Sequence, residues 1–145
     1  MHDPANCSRL INDPPETGGG NLAYNGERCN ADRVSNPTML ACAYQHAGLR
    51  IFDIRDPYRP KEIAYYKPPA VRTTFLPGSA SWAPGVDRTA DRIAGYPRFH
   101  KVPANEKHGR QLEIWFSSAD NGFQIVRFTD TFKARNKDLF EDSVE

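Results

Sequence analysis

The sequence has no apolar run approaching the roughly 18 residues that cross a bilayer as a helix. Its start, Met-His-Asp-Pro, lacks the charged and apolar regions of a signal peptide, so export would require a signal upstream of Met1. There is no Lys/Arg run and no basic stripe. Nineteen basic and eighteen acidic residues leave a formal charge of +1, which offers nothing to a phosphate backbone and argues against a nucleic-acid partner. No Gly-x-Ser-x-Gly, phosphate loop or paired-carboxylate signature occurs, so no catalytic residue is assigned. His2, His46, His100 and His108 lack metal-type spacing with one another or with cysteine, so no metal site and no cofactor are expected. His46 is the best placed of the four because it neighbours a turn, where binding residues gather. Asp120 and Asn121 are candidate calcium ligands, but a hairpin turn accounts for them without a cation.

Proline and glycine are abundant. Twelve prolines and ten glycines in 145 residues, with 39% apolar and 11% aromatic content, point to one β-rich domain of short elements separated by turns. Residues 1–23 hold Pro4, Pro14, Pro15 and Gly18-Gly19-Gly20 and read as an irregular N-terminal segment. Residues 24–66 read as a complete antiparallel meander with strands over 24–32, 38–46, 49–54 and 61–66. Its turns are Ser35-Asn36-Pro37, Ala47-Gly48 and Asp56-Pro57-Tyr58-Arg59-Pro60. Residues 67–95 show no sustained period and read as a long connection, uncommon inside a compact domain. Residues 96–128 hold a second, partial set of strands over 98–102, 111–118 and 123–128, with Asp120-Asn121-Gly122 as the hairpin turn. Residues 129–145 form a polar tail, either a short helix or a frayed end.

Two segments repeat each other. Leu-Arg-Ile-Phe-Asp-Ile at 49–54 and Phe-Gln-Ile-Val-Arg-Phe at 123–128 share one hydropathy pattern 74 residues apart, with Gly48 falling on Gly122, Ile51 on Ile125 and Asp56 on Asp130. In a strand, Leu49 and Ile51 take one face while Phe52 and Ile54 take the other. Both faces are apolar, as in a sheet packed between layers.

Cys29 and Cys42 lie symmetrically about the Ser35-Asn36 turn, so an antiparallel hairpin brings them face to face. They form either a disulfide or a pair of small buried thiols. Cys7 remains, to pair elsewhere or stay free. Tyr65, Tyr66, Trp82, Trp115 and Phe116 suit either a carbohydrate or peptide groove or, more ordinarily, a core.

The stretch from Gly48 to Ala64, Gly-Leu-Arg-Ile-Phe-Asp-Ile-Arg-Asp-Pro-Tyr-Arg-Pro-Lys-Glu-Ile-Ala, resembles the LVIVD-repeat family. Repeats of that family place an apolar strand ending in Asp-Ile or Asp-Val before Asp-Pro, two variable positions, Pro and a second apolar strand. Residues 120–128 look like the final strand pair of such proteins. Cys29 with Ala41-Cys42 looks like the segment ahead of the repeat. The resemblance implies an all-β chain of antiparallel four-stranded blades, part of a β-propeller that bacteria export, here its C-terminal blades. Because a propeller needs about four to eight blades, an upstream portion is expected to be missing, or chains assemble to close the ring. Gly48, Asp56, Pro57, Pro60, Asp120, Asn121 and Gly122 then have structural turn roles.

The functional expectation is a non-enzymatic extracytoplasmic binding or scaffold module, periplasmic, secreted or cell-surface, engaging an unidentified protein or small molecule. The alternative is part of a propeller hydrolase or oxidoreductase whose channel site is completed by missing blades. A third reading makes the chain an obligate oligomer through open sheet edges.

Overall fold

The computed structural model describes residues 26–69, 91–93, 95–106, 109 and 111–141. The expected N-terminal segment, Cys7, His2, His108, Trp82 and most of the 67–95 connection lie outside these residues. Two antiparallel sheets account for most of the regular secondary structure of the described residues, and neither closes on itself. The first contains β1 (Arg28–Ala31), β2 (Met39–Ala43), β3 (Leu49–Asp53) and β4 (Lys61–Tyr66) in that order. The second contains β5 (Arg98–Val102), β6 (Gln111–Ser118) and β7 (Gly122–Arg127), also in sequence order. After β7 come two short helices, α1 (Asp130–Arg135) and α2 (Lys137–Glu141).

Strands β4, β5 and β6 occupy the expected spans. The first is shorter than expected because pairing with β2 begins at Arg28, leaving Gly26 and Glu27 outside the strand. The second ends at Ala43, because Gln45–Ala47 close into a 3-10 turn rather than extending the strand to His46. That turn delivers the chain to Gly48 at φ +90°, where an added Cβ would stand 2.5 Å from the Tyr66 carbonyl oxygen. Glycine is required there by both conformation and space. The other expected turns stand as read. Asn36 adopts φ +48° and Gly122 +72°, and the Asp56 side chain accepts the Tyr58 N–H at 3.1 Å as an Asx turn.

Between the sheets lies a single core. Met39, Ala41, Ala43, Leu49, Ile51 and Ala64 from the first meet Ile114 and Phe116 from the second, with Leu112, Val126 and Phe99 around them. The polar tail contributes more than expected. Thr129 caps α1 by accepting the Phe132 N–H, and Phe132 and Phe140 close over buried Phe128, each at a ring distance of 5.2 Å. Arg55, in the β3–β4 turn, donates to Asp138 of α2 and so ties the helices to the first sheet.

The two central hairpins are superimposable in register. Leu40 pairs with Phe52 as Ile114 pairs with Val126, Ala41 with Ile51 as Trp115 with Ile125, and Ala43 with Leu49 as Ser117 with Phe123. Every correspondence is at 74 residues. The outer strands follow at 68, since Ala31 pairs with Leu40 where Phe99 pairs with Ile114. β4 has no strand counterpart among the described residues, because the chain after β7 turns into helices.

The sense of stacking follows from this register. The buried face of the first sheet, Met39, Ala41, Ala43, Leu49 and Ile51, has as its counterpart Glu113, Trp115, Ser117, Phe123 and Ile125, which is the outward face of the second. The second sheet meets the first with its other face, that of Leu112, Ile114, Phe116 and Val126. The sheets therefore stack front to back. Tyr66 marks the seam, with its ring 6.0 Å from Phe116.

Candidate binding surface and the polar clamp beside it

The β2–β3 and β6–β7 turns lie together at one end of the stack and are stitched by the segment around Asp91. Ile93 donates its N–H to Gln45 O at 3.1 Å and forms a β-bridge with Ser118, while Ala119 N–H donates to Arg92 O at 2.8 Å. Asp91 is 1% exposed, and its carboxylate accepts the N–H groups of Asp120 (3.1 Å) and Asn121 (2.8 Å) and the Asn121 side-chain amide (2.8 Å). That amide also donates to Pro69 O at 2.9 Å. The hairpin turn thus receives an anion from within the chain. Asp120 and Asn121 face a carboxylate with their donors, an arrangement suited to fixing the turn. His46 sits in the neighbouring 3-10 turn. Gln45 is buried and accepts from Arg92 Nε at 2.5 Å; its own Nε2 has no acceptor among the described residues.

Cys29 and Cys42 form a disulfide, their Sγ atoms 2.06 Å apart. Asp32 donates to Met39 O at 3.0 Å, and counting from that hydrogen-bonded pair places Cys29 and Cys42 at a non-hydrogen-bonded site, where side chains approach most closely. On the same face of the first sheet lies Arg50, which sequence reasoning left as a strand polar position. It is 0% exposed, donates Nε to Ala47 O at 2.7 Å, pairs with Glu62 at 3.0 Å, and lies over the Tyr65 ring at 4.7 Å. Cys42 is 2% and Tyr65 6% exposed, so the middle of this face is covered, while Cys29 at its edge is exposed and Leu40 and Phe52 are half-buried.

The outward face of the second sheet differs. Phe123 is 63% and Ile125 49% exposed. Trp115 joins them, half-buried, with His100 4.1 Å from its ring and Phe123 edge-on at 5.7 Å. Glu113 anchors the row, accepting Trp115 Nε1 at 2.8 Å and Arg127 Nε at 2.8 Å. Those donors, Trp115 first and Arg127 second, hold the Glu113 carboxyl below its ordinary value of 4.5. The sign follows. A depressed carboxyl contributes stability that is full above about pH 4.5 and is lost as pH falls through the lowered value. Glu113→Gln is therefore expected to flatten the acid limb of a urea-midpoint-against-pH curve below that pH, an effect absent if the carboxylate is not held by these donors.

Of the described aromatic residues read as groove or core, Tyr65 and Phe116 are buried and Tyr66 is half-buried, which leaves Trp115 on an open face; Trp82 lies outside the described residues. His100 joins it there, a placement that its spacing in sequence did not indicate. Among the described residues, no three His, Cys, Asp or Glu side chains gather where a metal ion would sit, and no helix is long and apolar enough to cross a membrane. No protein-family model matches the chain, and comparison with curated proteins finds no match.

Proposed function

We propose that the chain is part of a β-propeller of the LVIVD-repeat type and serves as a non-enzymatic, extracytoplasmic binding or scaffold module. The observation that carries this reading is the register: two hairpins pair residue for residue at a separation of 74 and stack front to back, as successive blades do. Among the described residues this stacking leaves the outward face of the second sheet open, and that face carries Trp115 and Phe123. A scaffold role is supported by how the carboxylates are used. Asp32 accepts from the backbone of Thr38 and Met39, Asp91 holds a turn, and Glu113 holds Trp115 and Arg127, so each is committed to structure. The Cys29–Cys42 bridge supports an oxidising compartment.

The test is to produce the chain in one host with and without an attached export signal. On this reading, Cys29 of the exported chain resists thiol reagents and the chain survives limited proteolysis, while the retained chain reacts at exposed Cys29, and at buried Cys42 once unfolded in denaturant, and is cut faster. Equal reactivity of both cysteines in the two preparations would refute an extracytoplasmic site of action.

A further inference from the structure

We propose that the Cys29–Cys42 bridge is a thiol-exchange site, at which a low-molecular-weight thiolate attacks Cys29 Sγ, Cys42 leaves as a thiolate beside Arg50, and the mixed disulfide formed on Cys29 releases β1. Access decides which sulfur is attacked. Cys29 lies on the edge strand β1 and is exposed, whereas Cys42, on the interior strand β2, is 2% exposed. A nucleophile from solvent therefore reaches Cys29, and Cys42 is the leaving group.

Register decides what receives the leaving sulfur. Cys29 pairs with Cys42, Cys42 with Arg50 and Arg50 with Tyr65, so the four residues form one row across β1, β2, β3 and β4. Residues directly opposite on one face stand about 4.5–5.5 Å apart at Cβ, which makes buried Arg50 the neighbour of Cys42. A cation beside a sulfur favours the thiolate over the thiol. Glu62, which pairs with Arg50 at 3.0 Å, is on β4, one strand further from Cys42, so its opposing charge acts from about twice the strand spacing. The attraction prevails.

The incoming thiolate forms a new S–S bond to Cys29 as the old one breaks, and the bonding pair leaves on Cys42 Sγ. Return attack by Cys42 expels the thiol and restores the bridge. A second thiol attacking the mixed disulfide instead leaves Cys29 reduced and carries away a small-molecule disulfide. None of the four residues of β1 joins the core, so its place beside β2 depends on the backbone ladder and on the bridge. Opening stops at Asp32, whose carboxylate accepts the N–H groups of Thr38 and Met39 and the Thr38 hydroxyl, each at 3.0 Å. Exchange thus frees a short edge strand without unfolding the sheet.

The test uses the Cys7→Ser chain, in which added glutathione is the attacking thiol, with samples taken under native conditions, quenched in acid and mapped by mass spectrometry. Glutathione is expected on Cys29, with Cys42 as the free thiol. Glutathione on Cys42, or equally on both, overturns the assignment of the attacked sulfur, and a rate no faster than global unfolding overturns a native-state site. Arg50→Met with Glu62→Met removes both charges together and is expected to slow exchange about fivefold. A merely loosened sheet would exchange faster, so an unchanged or raised rate in a variant with native dichroism overturns the part given to Arg50. Arg50→Lys, which keeps the cation, is expected to stay near wild type. In the Cys42→Ala variant carrying glutathione on Cys29, return attack is blocked, and amide hydrogen exchange is expected to lose protection over Arg28–Ala31 and keep it at Met39. Protection retained over Arg28–Ala31 overturns the release of β1.

Discussion

Asp91→Ala is expected to lower the unfolding free energy by about 3 kcal/mol, from the loss of a buried carboxylate and of the three part-buried bonds that it accepts. The carboxylate receives two backbone N–H groups and the Asn121 amide while almost fully removed from water. Alanine removes the only charged acceptor these part-buried donors are shown to share, and water replaces it incompletely. Asp91→Asn retains one acceptor oxygen and should cost about half as much, because a neutral acceptor makes weaker bonds than an ionised one. Urea unfolding monitored by far-ultraviolet dichroism measures both variants. An alanine variant within about 0.5 kcal/mol of wild type, the range of an ordinary surface change, would mean that the turn holds itself and that the clamp is incidental.

Cys29→Ser is expected to cost a similar amount, about 3 kcal/mol, from the loop of thirteen-residue separation that the bridge closes. Cys29 is the exposed partner, so serine there removes the bond without opening a cavity. The control is built into the chemistry. Under reducing conditions the wild type should lose the same stability, and the difference between wild type and variant should shrink to within about 0.5 kcal/mol. If the gap persists after reduction, the cost lies in local packing of the β1–β2 hairpin and the bridge contributes little.

Much of the β architecture was legible in the sequence, and the reasons differ by element. β4, β5 and β6 are bounded by prolines or polar turns that stop pairing abruptly, so their ends could be read closely. The β2 end could not. Tyr44-Gln45-His46 follow Ala43 with no proline or glycine to stop a strand, yet Gln45 takes φ +51° and starts a 3-10 turn that leads into Gly48, packed against Tyr66. Arg50 lies in a strand whose two faces both read as apolar, and its burial is tolerable because Glu62 and Tyr65 on the adjacent strand β4 supply a charge partner and a ring. Asp91 left no local signal. It sits in a stretch without period and acts on a turn about thirty residues later, and only the folded chain brings the two together. The tail was read as polar, and its cap Thr129 with Phe132 and Phe140 is the pattern that would have revealed two helices closing over Phe128.

On the proposed reading the two sheets are successive repeats stacked in the same sense, so that one face is buried in the first and open in the second. Ile51 and Ile125 are the matched pair that reports it, being equivalent by register and opposite in burial. The decisive measurement is urea unfolding of Ile51→Ala and Ile125→Ala against the wild type at one dilute concentration. The account predicts a loss of about 2 to 5 kcal/mol at Ile51, the range for emptying a packed aliphatic site, and under about 1 kcal/mol at Ile125. Equal losses at the two positions would contradict it, since they would place both isoleucines in the same kind of environment and leave the second sheet with no open front face.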